Sequence, residues 1–210
     1  MKNIIIIGGS SGSKIAKEIF ESVNFYTNIY FAETFCEKYK SQELSDSYLD
    51  VQDLIINGYE YFIATGDNKL RSEIYNNLKK ITGKEPLNCI HPSSIISKSC
   101  NIGYGNLICP GAVLHTDSII GNCTIVNTNS VIEHDCVLSD YSQISPNTTL
   151  CGKVTIGEYS FIGAGSTIIP NINIGKNVIV AAGSVVINNI DNNVMVAGVP
   201  CVIKKRYEKN

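Results

Sequence analysis

The chain has 210 residues, a formal net charge of −2 and 44% hydrophobic residues, the profile of an ordinary globular protein of one or two domains. It lacks the clustered lysine and arginine that neutralising a nucleic-acid backbone requires; the one basic cluster is Lys204, Lys205 and Arg206. No apolar run approaches the roughly 20 residues that span a bilayer.

The opening "MKNIIIIGG" is too short for a secretory signal core and ends in glycines instead of a cleavage site. Eight cysteines are spread from Cys36 to Cys201 without a C-x-x-C pair. The expectation is a chain with reduced thiols in the cytoplasm.

From residue 2 to 87 strands and helices alternate. "NIIII" is a continuous aliphatic run, as a buried parallel strand requires. It runs into "GGSSGS" and then "KIAKEIFESV", apolar at helical spacing. Further strands are predicted at "NIYFA" and "YEYFIATG", and a helix at "NKLRSEIYNNLKKI" with Leu70, Ile74, Leu78 and Ile81 on its apolar face. The result is a small βαβαβα unit, too short for a complete two-half dinucleotide fold. Residues 36–58 are polar and weakly periodic, and no element is placed there.

From residue 90 the pattern changes. Every sixth residue from Ile90 to Val186 is Ile, Leu or Val, seventeen positions without a slip of register. Glycine often follows (Gly103, Gly121, Gly157, Gly163, Gly175), and two residues earlier the side chain is mostly small, as at Ser118, Thr124, Ser130, Ser142 and Thr148. A period of six fits neither a helix nor a lone strand. It fits a solenoid of short strands and turns, three units to a triangular coil, each aliphatic stacked on its counterpart eighteen positions away. From 90 to 186 that makes a little over five coils.

His134, in "SVIEHDCVLSD", lies two residues past the stacked Ile132 at a coil corner, between Glu133 and Asp135. It is open to three readings: a solvated surface residue, a metal ligand, or a base. An imidazole held by a carboxylate keeps one tautomer and gains basicity, which suits a general base. Zinc needs three or four converging ligands. His91, His115 and His134 are 24 and 19 residues apart, so a coil of eighteen puts His115 near Glu133, not beside His134, and no metal is expected. Cys100 and Cys136, both two residues before a stacked aliphatic, read as buried column fillers.

The loop "GGSSGS" opens a helix where backbone N–H groups favour phosphate. It misses G-x-G-x-x-G because Ser10 and Ser13 replace the later glycines. It reads either as a tight βα turn or as a site for a mononucleotide or nucleotide sugar. "TGDN" (65–68) also follows a strand, and parallel strands present such loops at one edge.

The motifs "GGSSGSK", "IATGDNKLR", "NTNSVIEHDC", "ISPNTTLCGKVTIGE" and "AGVPCVIKK" resemble those of bacterial nucleotide-sugar acetyltransferases of the hexapeptide-repeat superfamily, which include 4-amino-sugar N-acetyltransferases and sialic acid O-acetyltransferases. The resemblance runs along nearly the whole chain. It implies an α/β N-terminal βαβ nucleotide-binding domain over residues 1–87, followed over 88–210 by an all-β left-handed parallel β-helix of hexapeptide repeats and a C-terminal tail.

By position, the resemblance makes His134 the general base and Asp135 its holder. Ser10, Ser11, Gly12, Glu33, Gly66 and Asn127 would contact the nucleotide sugar. Gln143, Gly152, Ala164 and Asn173 would line the acetyl-CoA site, with the Gly152 N–H facing the thioester carbonyl. It implies a homotrimer with active sites between adjacent β-helices, acetyl-CoA as co-substrate, and no metal, nucleic acid or membrane span.

Departures from the family pattern fall at the loop histidine (here Gly12 or Ser13), at a second histidine (here Gln143), at paired aspartates (here Ala32 and Glu33) and at "GVPAK" (here "GVPCV"). The expected reaction is acetyl-CoA-dependent N-acetylation of a UDP- or dTDP-linked 4-amino-4,6-dideoxy sugar for a surface glycan. The alternatives are sugar O-acetylation and a non-catalytic sugar-nucleotide-binding β-helix.

Overall fold

The structure is a computed structural model that describes residues 2–9, 11–32 and 51–208. The chain forms two compact units, Met1–Pro92 and Ser93–Asn210.

In the first unit, β1 (Asn3–Ile7), β2 (Asn28–Ala32) and β3 (Glu60–Ile63) make a parallel sheet in the order β2-β1-β3. Its centre is Ile4, Ile5, Ile6 and Ile7, all at most 1% exposed, as a strand covered on both faces demands. Helix α1 (Ser11–Ser22) lays Ala16, Ile19 and Phe20 inward. A short α2 (Val51–Ile56) buries Val51, Leu54 and Ile55, an element that the polar composition before it hides. Of the stretch left without an element, residues 36–50 lie outside the described residues.

Helix α3 (Asn68–Thr82) starts on Asp67, whose side chain accepts the Leu70 N–H at 2.9 Å, and stops at Gly83 in the left-handed region. Its inward face is Arg71, Ile74, Tyr75 and Leu78, while Ile81 is 47% exposed. The expected Leu70–Ile81 stripe is therefore rotated toward Arg71 and Tyr75. The Tyr75 hydroxyl reaches Glu85 at 2.8 Å, so a residue that counts as apolar in a periodicity also carries a polar handle.

The second unit is a parallel β-solenoid of two-residue rungs recurring every six residues. Ile125–Val126 and Gln143–Ile144 pair on one face, Val131–Ile132 and Thr149–Leu150 on the next, Val137–Leu138 and Thr155–Ile156 on the third, each eighteen residues apart. The stacked aliphatics from Ile108 to Val186 are buried, and Ile96 and Ile102 in the first coil are half-buried. The solenoid runs past the last regular hexad. Ile190 bridges Ile174 and Val196 pairs with Val180, both sixteen residues on, so a two-residue omission ends the sequence period without ending the coil.

The small residues before each aliphatic do more than leave room. The hydroxyls of Ser118, Ser130, Thr148, Ser160 and Ser166 donate to carbonyl oxygens fifteen residues ahead, those of Glu133, Ser145, Gly163, Gly175 and Ala181, at 2.7–3.2 Å. Cys136 occupies the same seat and points its thiol at the Cys151 carbonyl at 3.2 Å. Each such bond contributes about 1 kcal/mol and satisfies a corner carbonyl that water reaches poorly.

The corners have a period of their own. From Gly105 to Gly183 every sixth residue has a positive φ, between 52° and 71°, including Asp117, Asn129, Asp135, Asn147, Lys153 and Tyr159. From Cys123 onward the N–H of that residue crosses to a carbonyl nineteen residues earlier, as Asn147 does to Thr128 at 3.0 Å, while Gly111 and Asp117 donate to the Ser93 and Ser99 hydroxyls eighteen residues earlier. Glycine adopts this conformation freely and Asn or Asp at modest cost, whereas a β-branched side chain clashes with its own backbone. Asn147→Val, at an exposed corner, is expected to cost about 1–2 kcal/mol and to lower the thermal midpoint measured by circular dichroism, while Asn147→Gly leaves it near the starting value.

Candidate functional site

His134 and Asp135 are the two central residues of one corner, between the rungs Val131–Ile132 and Val137–Leu138. Asp135 takes the left-handed seat at φ 60° and donates its N–H to the Thr116 carbonyl at 3.1 Å. That turn brings its carboxylate onto the neighbouring imidazole, with His134 Nδ1 and Asp135 Oδ2 2.8 Å apart. The two side chains are 52% and 48% exposed, and Nε2 is the ring nitrogen that the carboxylate leaves free.

Gly152 is eighteen residues further on and occupies the same corner position of the next coil. A Cβ built on it would lie 2.5 Å from His134 Nε2 and 2.6 Å from Cε1, so the imidazole lies across the glycine's open face. The carbonyls at this corner are in use: His134 accepts the Lys153 N–H and Gly152 the Asn171 N–H, both at 3.0 Å. The Gly152 N–H has no partner among the described residues. The fold does not need an N–H at this kind of corner, because Pro110, Pro146 and Pro170 fill the equivalent position elsewhere. A base and a spare hydrogen-bond donor thus stand side by side on adjacent coils, the two kinds of group needed to deprotonate one centre and stabilise charge on another.

The other residues named from the sequence lie elsewhere. Asn127 sits at the preceding corner, one rung away from His134, where its side-chain oxygen accepts the Thr128 N–H at 3.3 Å. Ala164 is exposed on that same corner column, two coils on. Gln143 is half-buried on a rung. Asn173 lines a groove of about 520 Å³ with Asn189, Asp191, Asn192 and Arg206. Asn127 and His134 stand on different corners of one chain, because successive corners of a triangular coil point in different directions. Of the residues named from the sequence, His134, Asp135 and Gly152 lie together on one corner of adjacent coils.

The first unit brings its own loops together at the C-terminal edge of the sheet. The Gly8 N–H donates to the Ala32 carbonyl at 2.8 Å, and the Ala64 N–H to the Ile7 carbonyl at 2.7 Å. Gly8 has φ 144°, and a Cβ there would come within 3.1 Å of the Ala64 carbonyl carbon, so only glycine lets the two loops lie side by side. The buried Ser13 hydroxyl closes back on the Gly8 carbonyl. Ser11 is exposed at the start of α1, Gly12 half-buried and Gly66 exposed. Ser10 and Glu33 lie outside the described residues.

Gly66 is informative by what it lacks. A Cβ on it would meet nothing within 4 Å, and its φ is not in the left-handed region. Neither packing nor backbone requires glycine, and the space over it is open at a parallel-sheet edge where ligands bind.

The cysteines supply no nucleophile at the corner. Burial pushes the Cys136 thiol up to about 11 and raises that of Cys151 as well, so both remain protonated and inert at neutral pH.

Residues 3–78 match the PglD N-terminal domain, and residues 135–170 and 153–188 match the bacterial transferase hexapeptide (six repeats). The chain is 36% identical over 116 residues to UDP-N-acetylbacillosamine N-acetyltransferase of Bacillus subtilis (strain 168). That match covers 51% of this chain and 51% of the relative, about half the length of the curated protein. Among solved structures it is similar to a histidine-to-asparagine mutant of perosamine N-acetyltransferase from Caulobacter crescentus, in complex with CoA and GDP-perosamine. There the identity is 30%, the coverage 98% of both chains and the TM-score 0.88. It is also similar to the acetyltransferase domain of PglB from Neisseria gonorrhoeae FA1090 in complex with acetyl coenzyme A, at 27% identity over 97% of this chain and 99% of that one, with a TM-score of 0.85.

The contact between Gly152 and His134 can be tested directly. Gly152→Ala drives the imidazole off its seat, and carbon–proton correlation spectra of the histidine rings are expected to show one of the three sets displaced and two unmoved. Three unmoved sets would mean that the ring does not rest on Gly152.

Proposed function

Because the chain belongs to the bacterial nucleotide-amino-sugar N-acetyltransferases of the hexapeptide-repeat superfamily, we propose that it moves the acetyl group of acetyl-CoA onto the amine of a nucleotide-linked 4-amino sugar. The observation that carries this reading is the corner itself. His134, held by Asp135, lies against Gly152, whose N–H the fold leaves over.

The amine attacks the thioester carbonyl, forming a C–N bond. The carbonyl oxygen takes up negative charge facing the Gly152 N–H, and His134 Nε2 accepts the proton that the nitrogen must lose. Collapse breaks the C–S bond, and the departing CoA sulfur receives a proton in turn. General-base assistance contributes about 10²–10⁴-fold and one oxyanion donor about 10²–10³-fold; holding the two substrates together supplies much of the rest. The protein needs no nucleophile, in keeping with the protonated thiols nearby.

The loops of the first unit hold the nucleotide sugar, with Ser11, Gly12 and Gly66 at the phosphate-bearing end, a helix N-terminus beside a parallel-sheet edge. The scatter of Asn127, Gln143, Ala164 and Asn173 over separate corners and faces supports a homotrimer. Acetyl-CoA there lies between β-helices, where one copy's face meets another's corner. No helix among the described residues is long and apolar enough to cross a membrane. The proposed setting is the cytoplasm, where such sugars are prepared for a surface glycan.

The decisive assay is CoA release, followed with a thiol reagent on small-molecule product, across UDP-, dTDP- and GDP-linked amino sugars and free sialic acid. Turnover with a nucleotide amino sugar is expected, and His134→Ala should lower kcat by about 10²-fold or more while leaving nucleotide binding intact. Near-normal turnover in His134→Ala would remove the assigned base, and turnover with free sialic acid alone would move the acceptor from amine to hydroxyl.

A further inference from the structure

Arg71 is the largest fully buried side chain among the described residues, 1% exposed, in the first turn of α3. Its placement opposes what the fold alone would choose. A buried charge is costly to desolvate, and a cation near a helix N-terminus sits against the helix dipole. At a position facing inward with Ile74 and Leu78, an apolar residue of similar volume would serve the core better.

What the guanidinium holds accounts for it. Nη1 donates to the Thr65 carbonyl at 3.0 Å and Nη2 to the Asn68 side-chain oxygen at 2.7 Å. Those two contacts bracket Gly66 and Asp67. On the other side of the turn, Asp67 accepts the Leu70 N–H at 2.9 Å through its side chain and the Arg71 N–H at 2.9 Å through its carbonyl. The four-residue loop Thr65–Asn68 is therefore fixed from beneath by one rigid fork, while Gly66 and Asp67 face solvent and the space over Gly66 is open.

We propose that Arg71 is a positioning residue for the nucleotide sugar: it never touches the substrate but sets the loop on which Gly66 receives the phosphate-bearing part. This rests on the function proposed above. The rigid planar fork is the reason for arginine, since a lysine carries the charge but cannot span two acceptors in fixed geometry.

The test is steady-state kinetics, with each substrate varied in turn, on the wild type, Arg71→Met, Arg71→Lys, Asn68→Ala and Asn68→Asp, with thermal midpoints alongside. The expected result is a KM for the nucleotide amino sugar raised about tenfold or more in both Arg71 variants. It is raised by less in Asn68→Ala and restored in Asn68→Asp, which keeps the acceptor. The KM for acetyl-CoA and the kcat at saturation stay near wild type. An unchanged sugar KM in folded Arg71→Met overturns the proposal, as does a parallel loss in both substrates' KM values and kcat. If Arg71→Met does not fold, the Asn68 pair decides on the same criterion. If the wild type turns over no nucleotide amino sugar, the functional reading fails instead. Calorimetric binding of UDP, dTDP and GDP then reads the loop: loss in Arg71→Lys sustains the clamp, and unaltered binding overturns it.

Discussion

A chain that coils with two-residue rungs must turn its backbone at three corners in every eighteen residues, and each corner needs one residue in the left-handed conformation. Everything in the second unit depends on meeting that demand repeatedly, from Gly105 to Gly183. Because the corner recurs at a fixed interval, from Cys123 to Gly183 its N–H reaches a carbonyl nineteen residues back, and through the regular hexads the stacked aliphatics meet their counterparts eighteen residues away. Regularity is what lets rungs of two residues, far too short to stand as strands alone, share one continuous core.

The candidate site uses that geometry without disturbing it. Asp135 occupies a seat where the fold asks for Gly, Asn or Asp, and the same turn that relieves the corner lays its carboxylate on His134. Gly152 falls opposite because the coil repeats at eighteen, and its N–H is available because the fold can do without one at this position, as Pro110, Pro146 and Pro170 show. A pair exposed by about half keeps its imidazole accessible, as proton transfer with a bound amine would need. Chemistry and architecture meet on three residues, and neither costs the other a packing contact.

The first unit answers a different constraint. A parallel sheet gathers its loops at one edge, and the loops can touch only where side chains are absent, as at Gly8 against Ala64. Rigidity then comes from beneath. Ser13 ties the first loop, Asp67 caps α3, and Arg71, buried at a cost the core alone would not justify, holds the second. The two units thus reach preorganisation by opposite routes, one through repetition of backbone bonds and the other through single side chains placed with care.

The sequence by itself determined the solenoid, its three-unit coil, the alternating first unit, and the placing of His134 between two carboxylates, of which the folded turn lays Asp135 on the ring. Each is a matter of period or adjacency, and a hydrophobic period reports burial directly because apolar side chains must leave water wherever they recur. The left-handed corners were hidden, since Tyr141, Lys153 and Tyr159 fill seats that glycine would have advertised. So was the last coil, whose spacing of sixteen breaks the count. The inward turn of Arg71 and Tyr75 was hidden too, because burial of a polar group depends on partners that only the folded chain supplies. Tertiary structure alone laid the His134 ring across Gly152, while Asn127, nearer in sequence, sits on another corner. In a triangular coil, eighteen residues return the chain to the same corner and seven carry it to another.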